Sequence, residues 1–375
     1  MDLLEIRDQL DVIDREIVRL FEERMRLVGE VAEFKIRTGK QVFDKEREKA
    51  KIASVRELAH GEFNRQASEE LFTQLMTISR RFQYRLLEQH GQEAELGFKQ
   101  IDRLPVEGAR VVYQGVEGAY SHEAAMAYFG DDADCYHVKT WEDAMEEVER
   151  GNADYAVIPI ENSSAGAVSA NYDLLTCHHN VIVAEICIPV NHMLLGLPGT
   201  DISQIRSVYS HPQALMQCSQ YLNARPQWRQ ISVENTAVAA KKIIEDQDRS
   251  QAAVASQAAG KLYGLEALAE GVNHNKENTT RFIILAKDRI YQKDAQKLTV
   301  CFELPHKSGT LYNMLGNLIY NGVNMRMIES RPILGRNWEY RFFVDIEGNL
   351  SEPSIRNALK GVSEEAANMR ILGNY

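Results

Sequence analysis

Three cationic residues interrupt an apolar helical pattern near the start of the chain. Apolar residues recur there at alternating spacings of three and four, which is typical of one face of a long packed helix; they are Leu3, Ile6, Leu10, Ile13, Ile17, Leu20, Leu27, Val31 and Phe34. Arg24 stands where the pattern requires an aliphatic residue, and Arg7 and Lys35 lie beside the same face. A half-buried cation costs several kcal/mol unless an anion neutralises it. Acidic residues of a neighbouring helix are one such partner, but three cations together favour an anionic ligand.

The separation of two of these cations has a consequence for assembly. Arg7 and Lys35 are 28 residues apart, which is roughly 42 Å along one helix at a rise of about 1.5 Å per residue. No small ligand reaches both side chains. If both line one pocket, they come from different chains, and the sequence therefore predicts a homodimer of intertwined helices, with higher oligomers left open.

Further polar residues follow at helical spacing. Asp44, Arg47 and Glu48 share one face by the i, i+3, i+4 rule, and so do Ser79 and Gln83 on a later helix. Either group alone is more often a solvated helix face than a site. Together with the cations, however, they give this segment a resemblance to the all-helical family of chorismate mutases over its whole length.

The resemblance implies that the cations bind a dianion. Arg7 of a second chain, Arg24 and Arg47 would hold the two carboxylates of chorismate. The rearrangement of chorismate to prephenate needs no nucleophile or base, only a compact conformer of the substrate and donors at the developing charge. No metal or cofactor is expected.

The remaining polar positions would act on the reacting bonds. By the same resemblance, Lys35 and Gln83 would donate hydrogen bonds to the ether oxygen, where negative charge grows. Glu48 would contact the ring hydroxyl, with Asp44 and Ser79 in support.

Short apolar strands between residues 109 and 287 are followed by polar loops. These loops are Gly118–His122, Glu161–Gly166, Ser210–Gln213 and Asn278–Phe282. Small hydroxyl residues at helix N-termini suit carboxylate binding, although each loop alone is more often a cap and a turn. Gly115–Ser121 lacks the GxGxxG spacing of a dinucleotide site, so no nicotinamide cofactor is expected.

This segment resembles prephenate dehydratase throughout, and Thr280-Arg281-Phe282 is the most specific signature of that family. The resemblance implies that Thr280 protonates or hydrogen-bonds the departing ring hydroxyl. Arg281 would hold a substrate carboxylate. A threonine is a weak acid, but loss of water and carbon dioxide yields an aromatic ring, so a well-placed donor suffices.

Other polar residues of the same loops have lesser roles. By the resemblance, Asn162, Ser210 and Gln217 would complete the substrate pocket. His122 and His211 are interpreted as structural residues rather than proton shuttles. Glu161 either orients its neighbours or balances the charge of Arg281.

The last segment contains a glycine loop before a predicted helix. Gly309 permits close backbone approach, and the helix N-terminus that follows offers free N–H groups to a carboxylate. Gly309 and Leu311 match the first effector loop of the ACT regulatory domain, whereas Thr310 and Tyr312 depart from its usual small apolar residues.

A second loop completes that resemblance. Glu329, Ser330 and Arg331, followed by Pro332, match the second effector loop of phenylalanine-inhibited dehydratases. The resemblance implies phenylalanine as a feedback effector. A purely structural dimerisation domain is the alternative.

The chemistry-bearing residues lie in segments with different periodicities, so a multidomain protein is predicted. Residues 1–90 predict an all-α chorismate mutase domain and residues 91–108 a polar linker. Residues 109–287 predict an α/β domain with a mostly parallel sheet, and the resemblance implies two lobes like those of periplasmic binding proteins. Residues 297–375 read strand, helix, strand, strand, helix, strand, the order of an α+β ferredoxin-like fold.

Composition narrows the function class. A net charge of −11 over 375 residues argues against binding of nucleic acid or of an anionic membrane surface. Five scattered cysteines without a CxxC are typical of reduced thiols in a cytosol. The charged start of the chain and the absence of a long apolar run predict a soluble cytoplasmic protein.

Two other functions remain open at this point. The first is a non-catalytic amino-acid-binding regulator, which the cation set and the Thr280 triplet argue against. The second is a dehydratase that acts on arogenate instead of prephenate.

Overall fold

The computed structural model describes residues 2–91 and 96–375, so residues 92–95 of the predicted linker lie outside the described residues. The helices are α1 (Leu3–Thr38), α2 (Lys45–Leu58), α3 (Glu62–Gln89), α4 (Tyr120–Phe129), α5 (Trp141–Arg150), α6 (Ser169–Cys177), α7 (Pro212–Gln217), α8 (Ser219–Asn223), α9 (Thr236–Asp246), α10 (Gln257–Tyr263), α11 (Thr310–Ile319) and α12 (Pro353–Glu365).

The strands alternate with these helices after α3. They are β1 (Lys99–Ile101), β2 (Arg110–Gln114), β3 (Asp134–Val138), β4 (Tyr155–Asn162), β5 (Gly166–Ala167), β6 (Val181–Pro189), β7 (Met193–Gly196), β8 (Ser207–Ser210), β9 (Arg229–Ser232), β10 (Gln251–Ala255), β11 (Glu266–Ala269), β12 (Thr279–Ala286), β13 (Ile290–Gln292), β14 (Lys297–Glu303), β15 (Met325–Pro332), β16 (Tyr340–Glu347) and β17 (Ala367–Asn374).

The chain divides into two compact units, and the C-terminal segment is shared between them. The first unit comprises Met1–Leu96, Lys307–Asn324 and Leu350–Ala367, and the second unit comprises Gly97–His306, Met325–Asn349 and Asn368–Tyr375. Residues 297–375 therefore do not form a separate body. Helices α11 and α12 belong to the first unit, and strands β14 to β17 belong to the second.

The first unit is helical, and its boundaries follow local signals. Helix α1 begins with a capping box formed by Asp2 and Glu5 and ends at Gly39 in the left-handed conformation. Helix α3 begins at Glu62, directly after Gly61, which provides no side-chain cap. Both α1 and α2 pack against α3.

The second unit contains two lobes, each built on a sheet. In the first lobe β6, β12, β4, β2 and β3 are neighbours in that order, and in the second lobe the order is β11, β7, β10, β8, β9. The chain passes to the second lobe after β6 and returns to the first lobe in β12. Apolar side chains on both faces of the first sheet form its core, including Val111, Val112 and Phe282.

Both sheets are mixed, so the prediction of a mostly parallel sheet is wrong. Strand β2 runs parallel to β3 and β4, but β12 runs antiparallel to both β4 and β6. In the second lobe β7 runs antiparallel to β10 and β11. Strand β12 returns from the second lobe and lies between β4 and β6, antiparallel to both. The periodicity of apolar residues along a strand is the same in either direction, so it could not predict this pairing.

The strands of the C-terminal segment have the order β15, β16, β14, β17, and β17 continues onto β6 of the first lobe. The predicted sequence of strands and helices in this segment is confirmed. The first and third strands, β14 and β16, are antiparallel neighbours, and so are β15 and β16.

Part of the predicted linker is folded. Strand β1 pairs in parallel with β13, and Leu104 is buried in the core of the first lobe. The prediction of a linker over residues 91–108 is therefore wrong from Gly97 onward. Among the described residues, no helix combines the length and apolar character that a membrane span requires.

Candidate active sites

A cavity of about 520 Å³ lies among the three long helices of the first unit. Seven of the eight residues predicted for the mutase site line it: Arg24, Lys35, Asp44, Arg47, Glu48, Ser79 and Gln83. Two further cations, Lys51 and Arg80, also line it. Five cations thus face two carboxylates, and a cavity of this charge attracts a small dianion.

The cationic side chains of the cavity are partly desolvated. Burial lowers the pKa of the Lys35 ammonium, and the nearby Arg47 guanidinium lowers it further, while Asp44 and Glu48 oppose the change. Burial also lowers the pKa of Arg24. Lys35 Nζ donates a 2.7 Å hydrogen bond to the Val42 carbonyl, which holds its ammonium beside the cavity.

Several contacts fix the other predicted residues. Arg24 donates to the Ser79 hydroxyl and, over 3.3 Å, to the Leu75 carbonyl. Asp44 accepts a 3.1 Å hydrogen bond from the Arg47 backbone N–H and so caps helix α2. Gln83 is 7% exposed, and its Oε1 is buried without a protein partner. Such an atom needs a hydrogen-bond partner from a ligand or a water.

Arg7 is the predicted mutase residue that does not line the cavity. It lies on the same unbroken helix as Lys35, so the separation predicted from the sequence holds within one chain. Its side chain is exposed.

Sequence reasoning missed Arg80, which lines the cavity and is 8% exposed. Its guanidinium forms an ion pair with Glu48. The available signal was its position three residues before Gln83 on α3, which places both on one helix face.

In the second unit, Thr280 and Asn162 lie on neighbouring strands. They are register partners in β12 and β4, and Asn162 Nδ2 donates a 2.9 Å hydrogen bond to Thr280 Oγ1. Asn162 Oδ1 accepts hydrogen bonds from the backbone N–H groups of Ser164 (3.0 Å) and Ala165 (2.9 Å). The Asn162 amide is therefore held in one orientation, with its donor directed at the threonine hydroxyl.

Gln217 is linked to this pair through the crossover segments. Its Oε1 lies 3.1 Å from His192 Nε2, and the His192 backbone N–H donates to Asn273 Oδ1 at 3.1 Å. Asn273 Nδ2 donates to the Asn275 carbonyl at 2.6 Å, and Asn275 Nδ2 donates to Ser164 Oγ at 2.8 Å. A hydrogen-bonded path thus joins Gln217 of the second lobe to the Asn162 loop of the first.

His192 was not identified from the sequence. It is 1% exposed, and its Nδ1 lies 3.2 Å from the Tyr120 hydroxyl. Burial lowers its pKa to about 4, against a smaller opposing effect of the Gln217 hydrogen bond. The ring is therefore neutral near pH 7, with Nε2–H donating to Gln217 and Nδ1 accepting from Tyr120.

The remaining polar residues of the loops have local partners. Ser210 is fully buried at the end of β8 and donates a 2.5 Å hydrogen bond to the Val254 carbonyl. His122 accepts from the Gly118 backbone N–H, and His211 caps α7. These contacts agree with the structural interpretation of both histidines.

Arg281, which is predicted to hold a substrate carboxylate, lies among protein carboxylates. Successive residues of a strand point to opposite faces, so Arg281 and Thr280 of β12 cannot face one pocket together. The Arg281 guanidinium lies 2.8 Å from Asp345, 3.2 Å from Glu185 and 3.1 Å from Glu161. Burial acts to lower the pKa of Arg281, but the Asp345 carboxylate acts in the opposite direction, and the pKa is raised overall. Three protein carboxylates thus surround the guanidinium, and its contact with a substrate stays a prediction.

The predicted effector residues lie in both units. Gly309, with φ of 83°, precedes α11 in the first unit, as does Leu311 within that helix. Glu329, Ser330 and Arg331 lie on β15 in the second unit, where Arg331 forms a two-point ion pair with Asp173 at 3.2 and 2.7 Å. Within the described ranges, no three His, Cys, Asp or Glu side chains are grouped as metal ligands.

A helical cation-rich cavity and a two-lobed α/β domain with a fixed hydroxyl define a two-site enzyme for small anionic substrates. Residues 6–84 match the family "Chorismate mutase type II", and residues 111–290 match the family "Prephenate dehydratase". A bifunctional chorismate mutase/prephenate dehydratase of Enterobacter agglomerans is 35% identical over 381 residues, which cover 100% of this chain and 95% of that protein.

Solved structures agree over the C-terminal part of the chain. A prephenate dehydratase from Arthrobacter aurescens in complex with L-Phe gives a TM-score of 0.66 at 30% identity, covering 71% of this chain and 89% of that one. A structure described as GqqA, a novel type of quorum quenching acylase, gives 0.65 at 31% identity, covering 71% and 97%.

The chain belongs to the family of bifunctional chorismate mutase/prephenate dehydratases. It rearranges chorismate to prephenate and converts prephenate to phenylpyruvate, and the alternative of a non-catalytic regulator is set aside.

Proposed function

We propose that the helical cavity is the mutase site and that Arg24, Arg47 and Arg7 of a second copy hold the chorismate carboxylates. The observation that supports this most is the excess of five cations over two carboxylates in a cavity of about 520 Å³. Lys35 and Gln83 donate to the ether oxygen as its charge grows, and donors fixed before the reaction are effective there.

Glu48 contacts the ring hydroxyl of the substrate in this proposal. Asp44 supports the site by capping α2, and Ser79 by accepting the Arg24 hydrogen bond.

We propose that Thr280 is the proton or hydrogen-bond donor of the dehydratase site. Its hydroxyl assists departure of the ring hydroxyl as water while the carboxylate leaves as carbon dioxide and the ring becomes aromatic. Asn162 orients the hydroxyl through the 2.9 Å contact, and Gln217 and Ser210 bind the substrate from the second lobe.

Two single variants test the separation of the sites. Lys35→Ala should abolish mutase turnover and leave dehydration of added prephenate unchanged, whereas Thr280→Ala should do the reverse. Both activities are followed by absorbance, with chorismate and prephenate supplied separately. Loss of both activities from either variant in folded protein would contradict two separate sites.

We propose that the mutase site is completed by a homodimer. Apolar residues in the first half of α1 are exposed in the single chain, from 40% for Ile6 to 64% for Leu4, which favours burial against a second copy. Mixing Arg7→Ala chains with Lys35→Ala chains should restore mutase activity, because one of the two sites in a mixed dimer is intact. Absence of any rescue would count against the shared site.

We propose that the C-terminal segment is an ACT regulatory domain and that phenylalanine inhibits the enzyme through it. The strand order β15, β16, β14, β17 and the left-handed Gly309 support this, as does the L-Phe complex of the Arthrobacter relative. Gly309→Val should weaken phenylalanine binding, measured by calorimetry, since a β-branched residue at φ of 83° is strained. Unchanged affinity would argue against Gly309 as part of the effector site.

The compartment is also part of this proposal. The five free cysteines support a reducing compartment, the cytoplasm.

A further inference from the structure

Four charged side chains from three helices meet beside the mutase cavity. Arg80 of α3 is at their centre, with its side chain 9% exposed, and it contacts Glu48 of α2 and both Glu364 and Glu365 of α12. All four belong to the first unit. We call them the Arg80 cluster.

The nitrogens of the Arg80 guanidinium are divided among the three carboxylates. Nη1 binds Glu48, Nε lies 3.6 Å from Glu364 Oε2, and Nη2 lies 3.4 Å from Glu365 Oε1. An arginine beside a single carboxylate forms a two-point fork with it. Nη2 donates to Glu365, and Nε faces Glu364 at ion-pair distance without a hydrogen bond, so Arg80 holds Glu48 by one nitrogen only.

Other contacts keep the guanidinium in place. Nη2 donates to Thr77 Oγ1 at 3.2 Å, and the Arg80 Cζ lies 4.9 Å from the centre of the Phe43 ring. The Tyr84 hydroxyl donates to Glu364. The cluster is thus fixed from α3, from α12 and from the loop before α2.

Burial changes the pKa of two carboxyl groups in the cluster, Glu364 and Glu365. It raises the pKa of Glu364 to about 8 and raises that of Glu365, while Arg80 opposes both changes. Glu364 is therefore largely protonated near pH 7, and the shortest contact of the Arg80 guanidinium is with Glu48. A fully ionised set of three carboxylates around one guanidinium would be costly in this setting.

We propose that Arg80 is a positioning residue of the mutase site and that Glu364 and Glu365 of α12 determine how it holds Glu48. The inference rests on the proposed contact between Glu48 and the ring hydroxyl. Without the α12 carboxylates, the free guanidinium forms a fork with Glu48 and turns it away from the substrate. The C-terminal helix is then a component of the mutase site.

The double variant Glu364→Gln/Glu365→Gln tests the role of α12, because it keeps the shape of both side chains and replaces both carboxyl groups with amides that cannot ionise. We expect mutase kcat to fall about tenfold, equivalent to about 1.4 kcal/mol, with no rise in KM, since Arg24 and Arg47 still bind the carboxylates. A partly unfolded preparation would also lower apparent kcat at constant KM, so the folded fraction of each variant has to be measured alongside its kinetics. Wild-type kcat in the double variant would overturn the proposal.

Arg81→Ala is the matched control. Arg81 is the next residue of α3, and its Nη1 donates a 2.8 Å hydrogen bond to the Tyr320 carbonyl of the C-terminal segment. The control removes a cation and a contact with that segment but leaves the Arg80 cluster intact. Wild-type kcat is expected, and a loss equal to that of the double variant would overturn the proposal.

Arg80→Lys tests whether the effect passes through the guanidinium. Lysine keeps the charge but lacks the planar fork that serves three partners. We expect a similar loss of kcat, and the triple variant Arg80→Lys/Glu364→Gln/Glu365→Gln should be no worse than Arg80→Lys alone. Losses that multiply would show that the α12 carboxylates act independently of Arg80.

Glu48→Gln separates failure of this inference from failure of the proposed function. If Glu48→Gln keeps wild-type kcat, the role proposed for Glu48 is wrong and the inference falls with it. If Glu48→Gln is impaired but the α12 and Arg80 variants are not, the inference alone is wrong. Circular-dichroism melting of each variant verifies that the compared proteins are folded.

Discussion

At the scale of residues, two neighbours on β12 have different environments. Thr280 accepts a hydrogen bond from Asn162, whereas Arg281 is enclosed by Glu161, Glu185 and Asp345. A signature triplet in the sequence suggests joint participation in a pocket, but the alternation of side chains along a strand separates the two. The partner Asp345 is 64 residues from Arg281 in sequence, so no local pattern could have predicted this contact.

Removal of Arg281 should mainly affect stability. Arg281→Gln leaves three carboxylates without their shared cation, and loss of one partner from a buried pair costs about 3–5 kcal/mol. Urea unfolding measures this loss. The control Arg110→Gln breaks an ion pair with Asp154 whose side chains are both 44% exposed, so a change of about 0–1 kcal/mol is expected. Equal losses in both variants would contradict the structural role of Arg281.

The buried His192 should make stability depend on pH. Its pKa is about 4 in the folded protein and 6.5 as an ordinary histidine, so between these values only the unfolded state binds the proton. The contribution of the neutral ring is complete above pH 6.5 and decreases as the pH falls toward 4. Urea unfolding at several pH values should show a smaller slope for His192→Gln than for wild type. Parallel curves would show that His192 is not buried in its neutral form.

At the scale of elements, helix α1 exposes the apolar residues of its N-terminal half. It has 36 residues, and Ala32 near its C-terminal end is its buried residue. The apolar face of its first half is left exposed by the part of the chain that the structure describes, as the exposures of Ile13 (53%) and Ile17 (57%) show.

Charges on that face should prevent assembly. The double variant Ile13→Asp/Ile17→Asp places carboxylates where we propose a second copy packs, so dimers should dissociate and mutase activity should fall with them. Sedimentation or light scattering measures the mass, and the dehydratase assay reports the state of the second unit. Val12→Asp, at a residue of similar exposure (56%), tests whether the effect depends on the face. An unchanged dimer with both charges would exclude this face from the interface.

Sequence patterns predicted elements well where the signals were local. The helical spacing of Asp44, Arg47 and Glu48 was recognised correctly, because Asp44 caps the start of α2. Strand β12 begins at Thr279, inside the predicted polar loop Asn278–Phe282, because pairing with β4 on one side and β6 on the other extends it. Such pairing depends on residues far away in the chain, and the same reason explains why Arg80, whose partner Glu365 is 285 residues distant, was missed.

At the scale of the whole molecule, seven residues that line the helical cavity were predicted from sequence, but the crossover residue His192 and the division of the C-terminal segment were not. That segment passes between the two units four times, after His306, Asn324, Asn349 and Ala367. Its ferredoxin-like order of elements is a local property. Which unit each element joins depends on surfaces that sequence periodicity does not describe.

Truncation should therefore damage the second unit as well as the C-terminal segment. A chain that ends at Asp294 loses β14 to β17 and exposes the β6 edge to which β17 pairs. The truncation also removes Asp345, which pairs with Arg281, and Lys297, which pairs with Glu185. We expect lower thermal stability and a tendency to aggregate, since an open strand edge pairs with other chains. A truncated protein with a wild-type melting temperature would contradict this expectation.

The four passages of the chain also bear on gene architecture. An ancestral fusion of two enzymes is often reversible, because each half keeps its own core and a cut in the joint releases both. Here a cut near residue 96 would separate residues 1–96 from α11 and α12, which belong to the same unit. The second gene product would carry these two helices without the helices of their own unit. Fission of this gene would have to be followed by compensating substitutions on both products, and so the arrangement favours inheritance of the two reactions as one open reading frame.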